Sequence, residues 1–325
     1  MTVSLVTGGA GFIGSHLVDA LLARGNVVRV FDNFSTGALS NLTHVRSKVE
    51  LIHGDVADLD AVRKASKNVE FVFHEAALPS VQQSVVDPLA THHVCATGVL
   101  HVLTAAREAR VRRVICGASA AVYGDGQSSP RRESETLQPL SPYAVAQLAG
   151  EHYCVAFGHV YGLETVRLRY FNVFGPRQQA GNPYSAVVPL FLEAIRAGQR
   201  PVIFGDGLQS RDFTFVDDIV QANILAADAP RVAGRVYNVG SGRGTTLLEL
   251  ADEINAILGT EIRPIHMPPR PGDIRHSVAD ITRAQADLGY CPCTKLHTSL
   301  RRCIDAVTAA QVRPKFVRKT VQRIH

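Results

Sequence analysis

The chain has 325 residues, enough to bury a sizeable core as one large domain or two. Hydrophobic residues make up 46% and charged residues 19%, the balance of an ordinary soluble globular protein, and no apolar run approaches the length needed to cross a membrane. The net charge of +5 collects at one end, where residues 311–325 hold Arg313, Lys315, Arg318, Lys319 and Arg323 and no acid. Without that tail the body is neutral, and no nucleic-acid partner is expected. The six cysteines (95, 116, 154, 291, 293 and 303) are scattered and read as free thiols in a reducing cytoplasm. Cys291-Pro-Cys293 has no second pair at ligand spacing, so no metal is expected. A strand pattern beginning at residue 3 leaves no room for a signal peptide, which also points to a cytoplasmic location.

In chain order, Val3, Leu5 and Val6 lead into glycines and then into a helical pattern carrying Ile13 and Leu17. Gly9, Gly11 and Gly14 satisfy GxGxxG, and Gly8, Gly11 and Gly14 satisfy the tighter GxxGxxG. One glycine makes the sharp turn, one admits a pyrophosphate against the backbone, and one lets the helix pack on the sheet. The helix N-terminus then offers N–H groups to the phosphates. A second apolar run, Val27 to Phe31, ends at Asp32, 18 residues after Gly14, where a carboxylate reaches ribose hydroxyls. An acid there repels a 2′-phosphate, so the expected dinucleotide is NAD unless Arg29 reaches the same pocket.

Further strands are expected at Val49–Ile52, Val69–His74, Val111–Cys116 and Val166–Tyr170, with helices at 58–67, 87–109 and from Ser141-Pro142 onward. Repeated βα units predict an α/β fold, a doubly wound parallel sheet of the Rossmann type. Ligands in such sheets bind outside the carboxyl ends of the strands. The turns His53-Gly54-Asp55-Val56 and Phe73-His74-Glu75-Ala76-Ala77 should therefore line the dinucleotide. His74 alone reads as a structural histidine. Ser141 suits an N-cap, and Tyr143 and Gln147 share a helix face. After residue 175 the segments become irregular, with strands at 201–204 and 235–239 and helices at 186–197, 215–228 and 246–258. This reads as a smaller second lobe with a substrate cleft between the two.

Eight stretches in register, TGGAGFIGSHL, HGDV, SAAVYG, SPYAVAQ, YFNVFGPRQ, RDFTFVDD, YNVGSG and RPGDIRHSVAD, resemble the extended short-chain dehydrogenase/reductase family. Its nucleotide-sugar epimerases and dehydratases are the nearest likeness, over roughly residues 2–305. The resemblance implies an NAD-binding domain at 1–175, a UDP-sugar-binding lobe at 176–310 and a basic tail at 311–325. It implies Tyr143 as the catalytic base, Ser119 as its hydroxyl partner and Gln147 at the third catalytic position. Cofactor contacts are implied for Gly8, Gly11, Phe12, Ile13, Gly14, Asp32, Asn33, Thr36, Gly37, Asp55, Val56, Ala76, Ala77, Tyr143, Gln147 and Tyr170. For the UDP-sugar the implied positions are Ser80, Val81, Ser119, Tyr143, Asn172, Val188, Phe204, Arg211, Arg270, Asp273 and Ser277. A homodimer is implied through the helices at 87–109 and 142–161, where Val94, Leu100, Leu103, Leu148 and Phe157 lie on more than one side.

Ser119-Ala120-Ala121 carries no acid of the kind that family dehydratases and decarboxylases use, which favours epimerisation at C4 of the sugar. Ser277 is small where a bulky residue closes the pocket of relatives restricted to plain hexoses. UDP-N-acetylglucosamine and UDP-N-acetylgalactosamine are therefore the expected pair, with UDP-glucose and UDP-galactose as further candidates. Two positions depart from the family: Gln147 replaces a lysine that lowers the tyrosine pKa, and Cys95 replaces an asparagine. A dehydratase or decarboxylase, and a non-catalytic binding relative or engineered inactive variant, stay open beside the epimerase.

Overall fold

The computed structural model of the chain describes residues 2–126, 129–178, 186–269 and 274–312. Its first half alternates β1 (Val3–Thr7), α1 (Phe12–Ala23), β2 (Val27–Asp32), a 3-10 segment (Leu39–Lys48), β3 (Val49–His53), α2 (Leu59–Ala65) and β4 (Phe71–His74). Next come α3 (Val81–Val86), α4 (Pro88–His92), a π turn (His93–Thr97), α5 (Gly98–Glu108), β5 (Arg113–Ser119), a 3-10 turn (Ala120–Tyr123), α6 (Pro142–Tyr161) and β6 (Glu164–Tyr170). The second half holds β7 (Val173–Phe174), α7 (Val187–Arg196), β8 (Val202–Phe204), β9 (Ser210–Arg211), β10 (Thr214–Phe215), α8 (Val216–Asp228) and β11 (Val236–Val239). It closes with β12 (Thr245–Thr246), α9 (Leu247–Leu258), β13 (Ile265–Met267), β14 (His276–Ser277), α10 (Thr282–Leu288) and α11 (Leu296–Val312).

Seven strands form one parallel sheet in the order β11-β6-β5-β4-β1-β2-β3. The order reverses between β1 and β4, which opens the crevice in which doubly wound sheets bind ligands. Leu17 and Val18 of α1 join Ile219 and Ala222 of α8 on one face, while Val62, Leu103 and Phe157 cover the other. Both faces are dry, as a wholly parallel sheet requires. A separate core of Phe174, Phe191, Ile203, Phe213 and Leu250 holds the C-terminal elements together.

Two expectations change. The strand at 235–239, expected in the second lobe, is the seventh strand of the main sheet: β11 pairs with β6, and Tyr237, Asn238 and Val239 are buried there. The helix expected over 87–109 runs from Pro88 to Glu108, with Asp87 capping its start and a π turn at His93–Thr97, where Cys95 lies. By length and composition Pro88–Glu108 is long and apolar enough to cross a membrane, contrary to the sequence reading. Half of it is buried, because α5 packs between α2 and α6.

The apolar residues expected at a dimer face also divide. Leu103 and Phe157 belong to the core, and Val94, Leu100 and Leu148 are half-buried against it. Val85, Val86 and Leu89 of α3 and α4, with Val145, Tyr153 and Val160 of α6, stay exposed instead. All six cysteines are free, with Cys95, Cys116, Cys154 and Cys303 buried.

Candidate active site

The glycine loop closes on itself and on the next strand. Gly11 N–H donates to the Gly8 carbonyl at 2.9 Å, and Gly8 takes the left-handed φ of +66°. A Cβ at Gly8 would lie 2.7 Å from the Ala76 nitrogen, and a Cβ at Gly14 would strike the Gly8 carbonyl. Glycine is thus required where the turn off β1 meets the end of β4. Helix α1 begins at Phe12 behind Gly11, which has no side chain to cap the first N–H groups. Those groups, at Phe12 and Ile13, are where a helix N-terminus can receive an anion.

Asp32 ends β2 with its side chain buried. Its Oδ2 accepts from Ala10 N–H at 2.8 Å and its Oδ1 from Phe34 N–H at 2.7 Å. Gly37 packs on Ala10 and on the same carboxylate. The acid ties the glycine loop to the 33–37 turn, and each oxygen keeps a lone pair for a ribose hydroxyl. Arg29 is bound elsewhere, to Glu50 at 2.8 Å and to the carbonyls of Ala65 and Lys67, so no cation from β2 faces a 2′-phosphate. Asn33 donates to Asp55 at 2.8 Å, joining two expected cofactor residues, while Thr36 is exposed. Val56 is different: its side chain is core, pressed under Gly98, so only its backbone faces the crevice.

At the end of β4 the Thr7 hydroxyl bonds His74 Nδ1 at 2.7 Å and accepts weakly from Ala76 N–H at 3.4 Å. Burial lowers His74 to about 4, so it is neutral and structural. Ala76 and Ala77 follow, half-buried. Ser80 caps α3 by accepting from Gln83 N–H at 3.1 Å, and Val81 is exposed at its start.

The residues expected to be catalytic come together. Ser141 Oγ accepts from Ala144 N–H at 3.1 Å, which starts α6 with Pro142 in its first turn and fixes Tyr143 over the sheet edge. The Tyr143 side chain faces that of Ser119. Burial pushes Tyr143 up to about 12, and the neighbouring Ser119 hydroxyl opposes the shift. Tyr143, Gln147 and Glu151 follow at four-residue steps and are all buried. Glu151 holds Arg169 through two 2.8 Å bonds, and Arg169 donates to the Tyr123 hydroxyl at 2.9 Å. Tyr123 donates onward to Asn238 of β11 at 2.6 Å. This buried chain fixes the rotation of α6 against the sheet, and with it the aim of Tyr143.

The second lobe brings Arg211 and Ser277 side by side as register partners of β9 and β14, with Thr245 of β12 on the other flank of Arg211. Asp212 anchors this sheet, accepting from Ser241 N–H at 2.7 Å, Ser241 Oγ at 2.6 Å, Gly242 N–H at 3.0 Å and Ala279 N–H at 3.1 Å. Asn172 sits at φ +23° after β6, its carbonyl bonded by Thr214 N–H at 3.2 Å. Phe204 ends β8, half-buried. Val188 fills the core of the lobe, which leaves its backbone alone for a ligand. Arg270 and Asp273 lie outside the described residues.

Sequence reasoning placed Glu75 in a turn lining the dinucleotide without giving it a role of its own; its carboxyl accepts from the Tyr170 hydroxyl at 2.7 Å. That hydroxyl is also bonded by Asn223 at 2.8 Å, so the Tyr170 side chain is committed to the fold. An acid closing an otherwise apolar strand was the available signal.

Residues 4–240 match the family model described as the NAD dependent epimerase/dehydratase family. The chain belongs to that family. As a member of the epimerase/dehydratase family it uses NAD, and the glycine cradle, free helix start and Asp32 carboxylate fit that cofactor. A UDP-glucose 4-epimerase of Mycolicibacterium smegmatis is 39% identical over 93% of this chain and 97% of its own. Among solved structures, a UDP-N-acetylglucosamine 4-epimerase from Methanobrevibacter ruminantium, in complex with UDP-N-acetylmuramic acid, superposes with a TM-score of 0.91. It is 40% identical over 95% of this chain and 99% of its own. A Thermus thermophilus UDP-glucose 4-epimerase in complex with NAD superposes at 0.87, with 36% identity over 95% and 100%.

Proposed function

We propose that this protein interconverts UDP-sugars that differ at C4, taking UDP-N-acetylglucosamine and UDP-N-acetylgalactosamine as its main pair and working as a cytoplasmic homodimer. The observation that carries the reading is the juxtaposition of Ser119 and Tyr143 beside an NAD crevice, with no acid in Ser119-Ala120-Ala121. An elimination or decarboxylation needs a further proton shuttle, whereas epimerisation needs only removal and return of one hydride and one proton.

NAD, when bound, supplies a reversible hydride acceptor for C4. Tyr143 takes the proton of the C4 hydroxyl, and Ser119 hydrogen-bonds the same oxygen as it becomes a carbonyl. Burial favours the neutral phenol, so proton return from Tyr143 is easy and proton removal is the demanding half of the cycle. The sugar must show its other face before the hydride returns, so the pocket has to hold the diphosphate more firmly than the ring. Arg211, with Arg270 and Asn172, suits the diphosphate because a guanidinium makes paired bonds to phosphate oxygens. Ser277 beside Arg211 leaves volume for a 2-acetamido group. The solved N-acetylglucosamine epimerase relative supports this choice of substrate. The exposed apolar residues of α3, α4 and α6 support the homodimer.

Incubation with UDP-N-acetylglucosamine and chromatography of the products tests the reading. The expected product is the 4-epimer, lost in Tyr143→Phe. Accumulation of a 4-keto-6-deoxy sugar would replace it with a dehydratase, and binding of NAD and UDP-sugar without product would replace it with a non-catalytic relative.

A further inference from the structure

The carboxyl group of Glu75 takes no part in the chemistry above, yet it lies at the carboxyl edge of the sheet beside the reacting pair. Glu75 follows β4 directly and precedes Ala76, whose backbone packs on Gly8. Its Oε1 is bonded by Tyr170, itself held by Asn223 of α8. Its Oε2 lies against Gly117. A Cβ at Gly117 would stand 3.0 Å from that oxygen and 3.0 Å from the Tyr170 ring, so the absent side chain makes room for the acid. Gly117 and Ser119 are two apart on β5 and share a sheet face. Ser119 is also the register partner of Tyr170. The Glu75 carboxyl therefore sits about one residue pair below the Ser119–Tyr143 hydroxyls.

Hydride exchange at a carbon held by Ser119 and Tyr143 brings the nicotinamide end of the cofactor to this part of the edge. We propose that Glu75 is a positioning residue for that end: its carboxylate favours the cationic oxidised cofactor, and its protonated carboxyl accommodates the neutral reduced one. This rests on the reading of Ser119 and Tyr143 as the reacting pair.

The groups facing the carboxyl are Tyr170 from β6 and, through the Tyr170 hydroxyl, Asn223 from α8. Neither is cationic, so a positive charge arriving with the cofactor is the partner the carboxylate lacks. Although Glu75 keeps some exposed area, its carboxyl is enclosed, and that burial raises it to about 8. An ordinary glutamate is fully ionised at neutral pH, whereas this one changes charge there. Binding of a cation then expels the proton, and by linkage the oxidised cofactor binds more tightly as pH rises. The neutral reduced form gains nothing from the same change.

The test measures the dissociation constants of NAD⁺ and NADH from pH 6 to 9.5, using the full chain freed of cofactor. A Tyr143→Phe background removes the nearby phenol from the titration. The ratio of the two constants should move on the order of tenfold in favour of NAD⁺ across this range, and stay flat when Glu75→Gln is added. A ratio independent of pH in the Glu75-containing protein overturns the proposal without reference to the second variant. A parallel drift in the Glu75→Gln protein overturns it equally. No sugar or turnover is involved, so either failure leaves the epimerase reading to be decided by its own products.

Discussion

The side chain of Gln147 faces the sulfur of Cys95, one helical turn from Tyr143, and opposes the rise that burial gives the thiol. The same sulfur accepts from Leu78 N–H at 3.4 Å, next to the Ala76-Ala77 turn. The approach is made possible by the π turn that carries Cys95 and by Gly150, where a Cβ would stand 3.4 Å from the Cys95 carbonyl. π turns often mark functional positions in helices. Cys95 and Gln147 thus act as one neutral pair where a lysine would place a charge. Tyr143, at about 12, is then ionised to roughly one part in 100,000 at pH 7 until a cation arrives with the cofactor.

Gln147→Lys restores a positive charge beside Tyr143. A fall of about two to three units in the tyrosine pKa corresponds to about 3–4 kcal/mol. Turnover near neutral pH should rise on the order of a hundredfold. The pH–rate profile separates the proteins: both climb into alkaline conditions, and the lysine variant levels off about two to three pH units earlier than the unmodified chain. Because the two side chains are neighbours, Cys95→Asn should change the rate more in the lysine background than alone. Fast turnover of the natural chain at pH 7 would show that another group activates Tyr143.

Glu75 should also be visible in stability. The folded chain keeps its proton up to about 8, whereas an exposed glutamate releases it near 4.5. Between those values the folded state binds more protons, so this group's contribution falls as pH rises through the window. His74 works in the opposite sense below pH 6.5, since burial holds it at about 4 and stability rises as it stays neutral. The comparison is therefore between Glu75→Gln and its parent. Denaturant midpoints of the cofactor-free proteins should diverge in favour of the variant from pH 6 to 9, and equal slopes with pH would refute the assignment.

Ser277→Tyr should abolish binding and turnover of N-acetylated substrates while sparing plain UDP-hexoses, because the ring would occupy the space beside Arg211 assigned to the acetamido group. Steady-state kinetics on both substrate types decides it. Equal loss for both, or none for either, would show that Ser277 does not set the choice.

Val145→Glu on α6, combined with Leu89→Glu on α4, puts charge on an exposed apolar face and removes no core contact. These side chains are 54% and 71% exposed, so the folded protomer should tolerate both changes. Mass measured in solution at micromolar concentration should be that of a dimer for the natural chain and a monomer for the variant. A monomeric natural chain would contradict the interface.

Much of the cofactor crevice was legible because it depends on local rules. A glycine at left-handed φ, a serine cap, an acid at a strand end and a four-residue step along a helix are each written in neighbouring residues. Gly8, Ser141, Asp32 and the Tyr143–Gln147 face all followed from such patterns. The Ser119–Tyr143 pairing joined two segments only through the family resemblance, and the fold supplies its contact.

What the sequence determined by itself was therefore the local grammar: alternating βα units, the glycine turn, the helix starts and the chemical types available at each strand end. Tertiary structure decided what those residues face, since facing depends on packing across long separations in the chain. It returned Val236–Val239 to the main sheet, because buried strand edges at β6 needed a partner. It turned Val56 and Val188 into core, and placed Arg211 against Ser277 through pairing of strands 66 residues apart. It also set Glu75 in the space left by Gly117 and joined Cys95 to Gln147 across two helices. None of these contacts leaves a periodic trace in one dimension, because each is fixed by excluded volume and hydrogen-bond satisfaction between segments that meet only in the folded chain.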